Sequence, residues 1–193
     1  MKLQKIAMVL IFVLLIMLNA SLFVFSEEPT ITLQAPVAVT TCGQSPGALM
    51  LKLICKKADV ECFQSNYLNV DDLKNNSFKT LIITTGTSMK GMGAAGTDIN
   101  AEIKRIEDLI TEAKKQGIVI IGAHIEGMAR RVDKYDEMSI EAVAPVADII
   151  LVKEDSDADG YFSKLAQQKE IPIIKVKETL DLQGTFKDIF QAQ

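Results

Sequence analysis

A chain of 193 residues with a net charge of −4 has the length of one domain plus an extension, and its acidic balance excludes a general nucleic-acid partner. Hydrophobic residues make up 48% of it, enough for a sizeable core. Part of that content lies at the N-terminus. Met1 to Lys5 carries two lysines and Ile6 to Phe25 is almost wholly apolar. This is the charged n-region and long h-region of a signal peptide or an N-terminal membrane anchor, assigned to residues 1–26. Val24-Phe25-Ser26 offers a cleavage site with a small last residue, and no cysteine follows the run to take a lipid. The expectation is an exported protein: periplasmic, secreted, or anchored to the outer face of the cytoplasmic membrane. Contact with the membrane is expected only through this segment. Without Lys2 and Lys5 the chain has 19 basic and 25 acidic residues, a net charge of −6.

Residues 27–35 read as a linker or an added edge strand, and residues 36–193 as a single α/β domain. Pro36 to Thr41 has the pattern of a buried strand. Gly47 to Ala58 places Leu49, Met50, Leu53 and Ile54 at helical spacing. Val60 to Gln64 is a weak strand and Phe78 to Thr84 a stronger one. Asp98 to Gln116 is the clearest helix, with Ile99, Ile103, Ile106, Ile110 and Ala113 on one stripe and Gly117 as its stop. Ile118 to Ala123 is a continuous apolar strand. A short helix over Ser139 to Ala147, a strand over Asp148 to Lys153, a helix over Gly160 to Lys169, a strand over Ile171 to Val176 and a helix over Gly184 to Phe190 complete the pattern. Strands alternating with helices imply βαβ units, and unbroken Val/Ile runs imply a sheet covered on both faces. The expected fold is a three-layer α/β sandwich with a mainly parallel sheet of five or six strands, flavodoxin-like or Rossmann-like. Ligands of such sheets bind at the carboxyl ends of the strands, beside the switch in strand order.

Four loops carry candidate chemistry. In "CGQSPG" (42–47), Gly43, Ser45 and Gly47 spell G-x-S-x-G, a hydrolase nucleophile elbow. The residue after the serine would have to give its N–H to the oxyanion hole, and Pro46 has none. The alternative explains every letter: Ser45 caps the helix, Pro46 takes its first position and Gly43 permits the turn. The free N–H groups of that helix then face the ligand crevice, where Gln44 and Ser45 add polar groups. Cys42 shares the turn, as a packing residue rather than a nucleophile.

In "TGTSMKGMGAAGTD" (85–98), Gly91, Gly93 and Gly96 match G-x-G-x-x-G. A dinucleotide fingerprint follows its strand directly, with an acidic residue ending the next strand. Here several residues intervene, and the next strand ends in Ala123-His124. The expectation is a flexible glycine-rich loop with no nicotinamide or other cofactor, in which Thr87, Ser88 and Lys90 face the pocket. In "HIEGMARR" (124–131) stand His124, Glu126, Arg130 and Arg131. Arginine's planar fork suits carboxylate or phosphate, and Glu126 can pair with an arginine. One His and one Glu are too few ligands for a metal. In "DSDADG" (155–160), Asp155, Asp157 and Asp159 match the start of a calcium loop. Its twelfth position is Ala166, so Asp157 or Asp159 as a helix cap is the better reading. The three cysteines leave at least one thiol unpaired, and Cys55 and Cys62 are close enough in sequence to pair.

With "TTCGQSPGALM", "TLIITTGTSMKGMGAAGTD", "GAHIEGMARR" and "EAVAPVADIILV" in view, residues 35 to 190 resemble an uncharacterised family of exported bacterial α/β proteins, a domain of unknown function. The resemblance implies the fold and an exported location, and it implies no activity. In the family pattern the position of Cys42 is often another small residue. The expected function is binding of a small anionic or polar ligand at the carboxyl edge of the sheet by Gln44, Ser45, Thr87, Ser88, Lys90, His124, Glu126, Arg130 and Arg131. Two alternatives stand beside it: a hydrolase or transferase with His124 or Glu126 as base, and a membrane-tethered protein-interaction domain.

Overall fold

Five short runs rich in β-branched and aliphatic residues, with the edge segment Cys62–Gln64, form one all-parallel sheet in a computed structural model that describes residues 31–190. The strands are β1 (Val37–Thr41), β2 (Cys62–Gln64), β3 (Thr80–Thr84), β4 (Val119–His124), β5 (Ile149–Lys153) and β6 (Ile173–Val176). Their order is β2-β1-β3-β4-β5-β6. The helices are α1 (Gly47–Ala58), α2 (Val70–Lys74), α3 (Met89–Ala95), α4 (Ile99–Gln116), α5 (Lys134–Val143), α6 (Tyr161–Lys169) and α7 (Leu182–Ile189). The chain has the expected flavodoxin-like α/β fold. The leader segment assigned to 1–26 lies outside the described residues. Among the described residues no helix is long and apolar enough to cross a membrane.

The alternation of side chains along each strand divides the core in two. Val37, Val39, Ile82, Ile121 and Leu151 pack against Leu51, Ile54 and Cys55 of α1 and Phe186 of α7. Ala38, Leu81, Ile83 and Ile120 point to the other face, under Leu73 of α2, Ile106 and Leu109 of α4, and Val143 of α5. Ile150 and Val152 continue that face beneath Ile140 of α5 and Phe162 of α6. Before β1, Leu33 makes a single bridge to Phe190, and its N–H donates to the Ile189 carbonyl at 2.7 Å.

Local chemistry explains where the observed elements depart from the periodicity. The glycine-rich 85–98 segment is not a flexible loop: its middle is helix α3. The Ser88 hydroxyl caps it, accepting from Gly91 N at 3.0 Å, and Gly96 ends it in the left-handed region. Helix α5 starts at Lys134 rather than Ser139, because the Asp133 carboxylate takes the N–H groups of Tyr135 and Asp136. It stops at Val143, and Pro145 follows in a 3-10 turn over Ala144–Val146. Asn69 and Asp72 form a reciprocal capping box that creates the short helix α2, which has too few residues to show a hydrophobic period.

Candidate functional site

β1 pairs with β2 on one side and β3 on the other, so the chain leaves the sheet in opposite directions there. The carboxyl ends of β1, β3 and β4 border this switch point, and the segments that follow them carry every residue of the expected ligand site.

Ser45 does not cap α1. Pro46 occupies the cap position, with no side-chain cap bond. Ser45 is buried, and its hydroxyl lies 3.3 Å from the Thr41 hydroxyl, over the end of β1. A carboxylate fills the role at the helix start. Glu126, from the loop after β4, accepts the Gly47 N–H on Oε1 at 2.9 Å. Its other oxygen accepts from Arg130 Nε at 3.1 Å. The helix terminus that the sequence offers to an anion therefore holds an anion of the protein's own. Gly47 admits it: a Cβ there would stand 2.9 Å from Glu126 Oε1.

Arg130 ties a third loop to this pair. Its NH1 donates to the Thr87 carbonyl at 2.6 Å. Gly86, at φ +100°, lets the β3 loop pass close beneath, since a Cβ there would meet Arg130 Cβ at 2.6 Å. Thr87 is further held by Asp136 of α5, whose Oδ1 accepts both its N–H and its hydroxyl at 2.7 Å. Oδ2 of Asp136 accepts from Val132 N at 3.1 Å. Gln44, at φ +57°, bridges backbone to backbone with Thr87 and donates its side-chain N–H to the Asn66 carbonyl at 3.2 Å. Ser139 donates to the Cys42 carbonyl at 2.5 Å and accepts the Gly86 N–H at 3.0 Å.

His124 ends β4 in the buried layer and stacks on Phe162, ring centroids 5.5 Å apart. Its Nε2 donates to the Gly127 carbonyl at 3.3 Å, which leaves Nδ1 to accept from the Thr85 hydroxyl at 2.9 Å. Burial pushes the imidazole below its ordinary range; donation to Gly127 opposes this, and the nearby Arg131 charge adds to it.

The structure thus gathers Gln44, Ser45, Thr87, Ser88, His124, Glu126 and Arg130 into contacting loops, with Lys90 exposed on α3 beside them. Arg131 belongs to another cluster. It donates to Glu137, the Ser156 carbonyl and Asp159, and its guanidinium lies over Tyr161 at 5.1 Å and Phe162 at 5.5 Å. The three aspartates of "DSDADG" face three different cations: Asp155 pairs with Lys153, Asp157 with Lys175, and Asp159 with Arg131. Asp157 also caps α6 from Phe162 N at 2.8 Å. Its own burial opposes ionisation, yet Lys175 and the Ser163 donors hold the carboxyl below the usual carboxylate range.

Glu102, Arg105, Asp136 and Ser139 escape the sequence reading. Arg105 binds the Thr41 carbonyl at 2.6 Å, the Leu68 carbonyl at 3.0 Å and Glu102 at 2.8 Å, and Glu102 accepts Gly43 N at 3.3 Å. The available signal was spacing. Asp133-x-x-Asp136 has the form of a helix start, and Glu102 and Arg105 are three apart on α4. The same edge also carries three exposed apolar side chains, Met89, Met128 and Val132.

A family model described as "Domain of unknown function (DUF6305)" matches residues 34–190. The chain belongs to this family. No curated protein matches it in sequence. Among solved structures, the chain is similar to the psychrotrophic esterase EstA from Pseudoalteromonas sp. at 9% identity and TM-score 0.35, covering 72% of this chain and 76% of that one. It is similar to a GDSL-like lipase from Bacteroides thetaiotaomicron at 13% identity and TM-score 0.38, over 81% of this chain and 78% of that one. The esterase AlinE4, as a mutant, aligns at 11% identity and TM-score 0.31, over 86% of each chain. Likenesses this distant carry no activity to the family member described here.

Proposed function

We propose that this DUF6305 chain is an exported domain that binds a small anionic or polar ligand at the carboxyl edge of its sheet and performs no chemistry on it. The observation that carries the reading is Arg130. Its side chain stands at the switch point, 30% exposed, on a part-buried carboxylate seated at the start of α1. Lys90 provides a second cation on the rim, and Met89, Met128 and Val132 offer apolar contact to the rest of a ligand.

A hydrolase or transferase reading has less support. Both ring nitrogens of His124 and both oxygens of Glu126 are engaged inside the protein, and Ser45 contacts Thr41 rather than a base. The reading as a tethered interaction domain draws on a different feature: a groove of about 460 Å³ on α1, lined by Met50, Leu53, Ile54 and Leu180.

The test is a thermal-shift screen of the protein against metabolite anions, with calcium included. One anion class should raise the midpoint by mass action, and Arg130→Gln and Lys90→Gln should each reduce the rise. A rise unchanged in both variants would place the site elsewhere. With no rise from any anion, capture of a protein partner that is lost on Leu53→Glu would favour the groove.

A further inference from the structure

Cys55 and Cys62 flank the tight connection from α1 to β2, on one shared core cluster. Cys55 lies in the last turn of α1, buried on its inner face. Its carbonyl accepts the N–H groups of Asp59, which adopts the left-handed conformation at φ +60°, and of Val60 at 2.9 Å. That double bond folds the chain back on itself. Cys62 then opens β2 in parallel register with Val37, and packs half-buried against the core cluster that includes Cys55. Each thiol acts on the ionisation of the other. Cys62 also lines an open concavity of about 570 Å³ with Lys52, Lys56, Asp59 and Glu61, so one residue of the pair is partly accessible and the other is buried.

We propose that Cys55 and Cys62 are a redox pair that closes to an intramolecular disulfide by exchange with an external disulfide, either a small-molecule disulfide or that of a protein oxidant. The inference does not rest on the ligand-binding reading. Cys62 is the sulfur an incoming disulfide can reach. Its thiolate attacks one sulfur of that disulfide; the external S–S bond breaks, a mixed disulfide forms, and the departing thiolate takes up a proton. Cys55 then gives up its proton and attacks Sγ of Cys62. The mixed disulfide breaks and the second external thiol leaves. Two electrons and two protons pass from the cysteine pair to the external disulfide. The electrostatics suit this division of labour. The neighbouring Cys55 lowers the Cys62 thiol, burial opposes that, and Lys52 assists it. Cys55 is raised by the neighbouring Cys62 and by burial. Cys42 takes no part: it is fully buried in the other core layer, where burial pushes its thiol up to about 12.

The test uses the full chain in mild detergent. It is equilibrated with oxidised glutathione, quenched with acid and alkylated in denaturant, and the masses are read. The wild type should lose two thiols, retain no glutathione and carry one alkyl group, which peptide mapping should place on Cys42. Cys55→Ser should stop at the mixed disulfide, with one glutathione on Cys62, and Cys55→Ala repeats the test should serine disturb the core. Cys62→Ser should react at least tenfold more slowly than the wild type, the exposed thiolate being the nucleophile. A wild type that keeps three alkylatable thiols, or that retains glutathione on Cys62, would overturn the pair. An adduct on Cys55 in the Cys62→Ser variant, formed at the wild-type rate, would overturn the assigned roles.

Discussion

The carboxyl edge of the sheet and the α1–β2 flank use polar atoms in opposite ways. At the edge, the loops after β1, β3 and β4 are threaded through one another, and buried side chains supply the bonds the backbone cannot make to itself. Asp136 holds Thr87 and Val132, Ser139 joins Cys42 to Gly86, and Glu126 closes the start of α1. At the flank, the outer face of α1, the edge strand β2 and the loop after it leave Leu49, Leu53, Phe63 and Tyr67 exposed. The first region is over-determined and tolerates little change, because each buried group that loses its partner carries the full cost of desolvation. The second is held from its inner side only, so its outer residues are free to serve contacts or redox chemistry.

The largest blow to that contrast should come from Asp136→Ala, which strips the two buried donors of Thr87 and the part-buried Val132 N–H of their acceptor at once. A loss of about 3 kcal/mol is expected from urea midpoints at unchanged slope. A loss below about 1 kcal/mol would mean the edge is no tighter than an ordinary surface. A sharper probe lies inside the G-x-G-x-x-G match. A Cβ on Gly91 would run into the Gln44 carbonyl, whereas one on Gly93 meets nothing within 4 Å. Gly91→Ala should therefore cost about 2 kcal/mol by overpacking, and Gly93→Ala should stabilise α3 by roughly 0.5–1 kcal/mol. Thermal midpoints moving in the same direction for both would show that the face of α3 against Gln44 is packed no more tightly than its open face.

The smallest expected effect is a pH dependence. The folded His124 imidazole sits below its unfolded value of about 6.5, so its contribution is complete above that pH. As the pH falls below it, the unfolded state takes up a proton that the folded state declines, and stability is lost toward the folded value. Between about pH 7 and 5.5 the wild type should lose up to roughly 1 kcal/mol that a His124→Gln variant keeps. Parallel pH profiles for the two proteins would show that His124 is not held neutral by the edge.

Sequence periodicity carried the sheet and the long helices because burial on two faces leaves continuous Val/Ile runs and a clear stripe on α4. It failed where capping chemistry outweighed pattern. Ser88 and Asp133 start helices that glycines or a charged run conceal, and α2 is too short to show a stripe. For the candidate site, the loops were legible because strand order places them, and an arginine partner for Glu126 was expected, though not which one. The partners were not. Whether Ser45 turns toward the helix or toward Thr41, and whether Arg131 joins Arg130 or folds onto Tyr161, depends on contacts between residues far apart in the chain. Asp136 and Glu102 look like surface acids until the loops that cover them are in place.

The carboxylate seated at the start of α1 has a consequence for any ligand aimed at that helix. Glu126 is tethered, and a group tethered by a short loop acts at an effective concentration in the millimolar range. A free anion seeking the Gly47 amide must first outcompete this built-in counter-ligand. It must also take over the charge partner that Glu126 provides to Arg130. Weak anions at low concentration would leave the loop as it is, while an anion able to win would release Glu126 and with it the connection between the β4 loop and α1. Occupancy at this point would then be reported by the position of a loop rather than by a new contact alone.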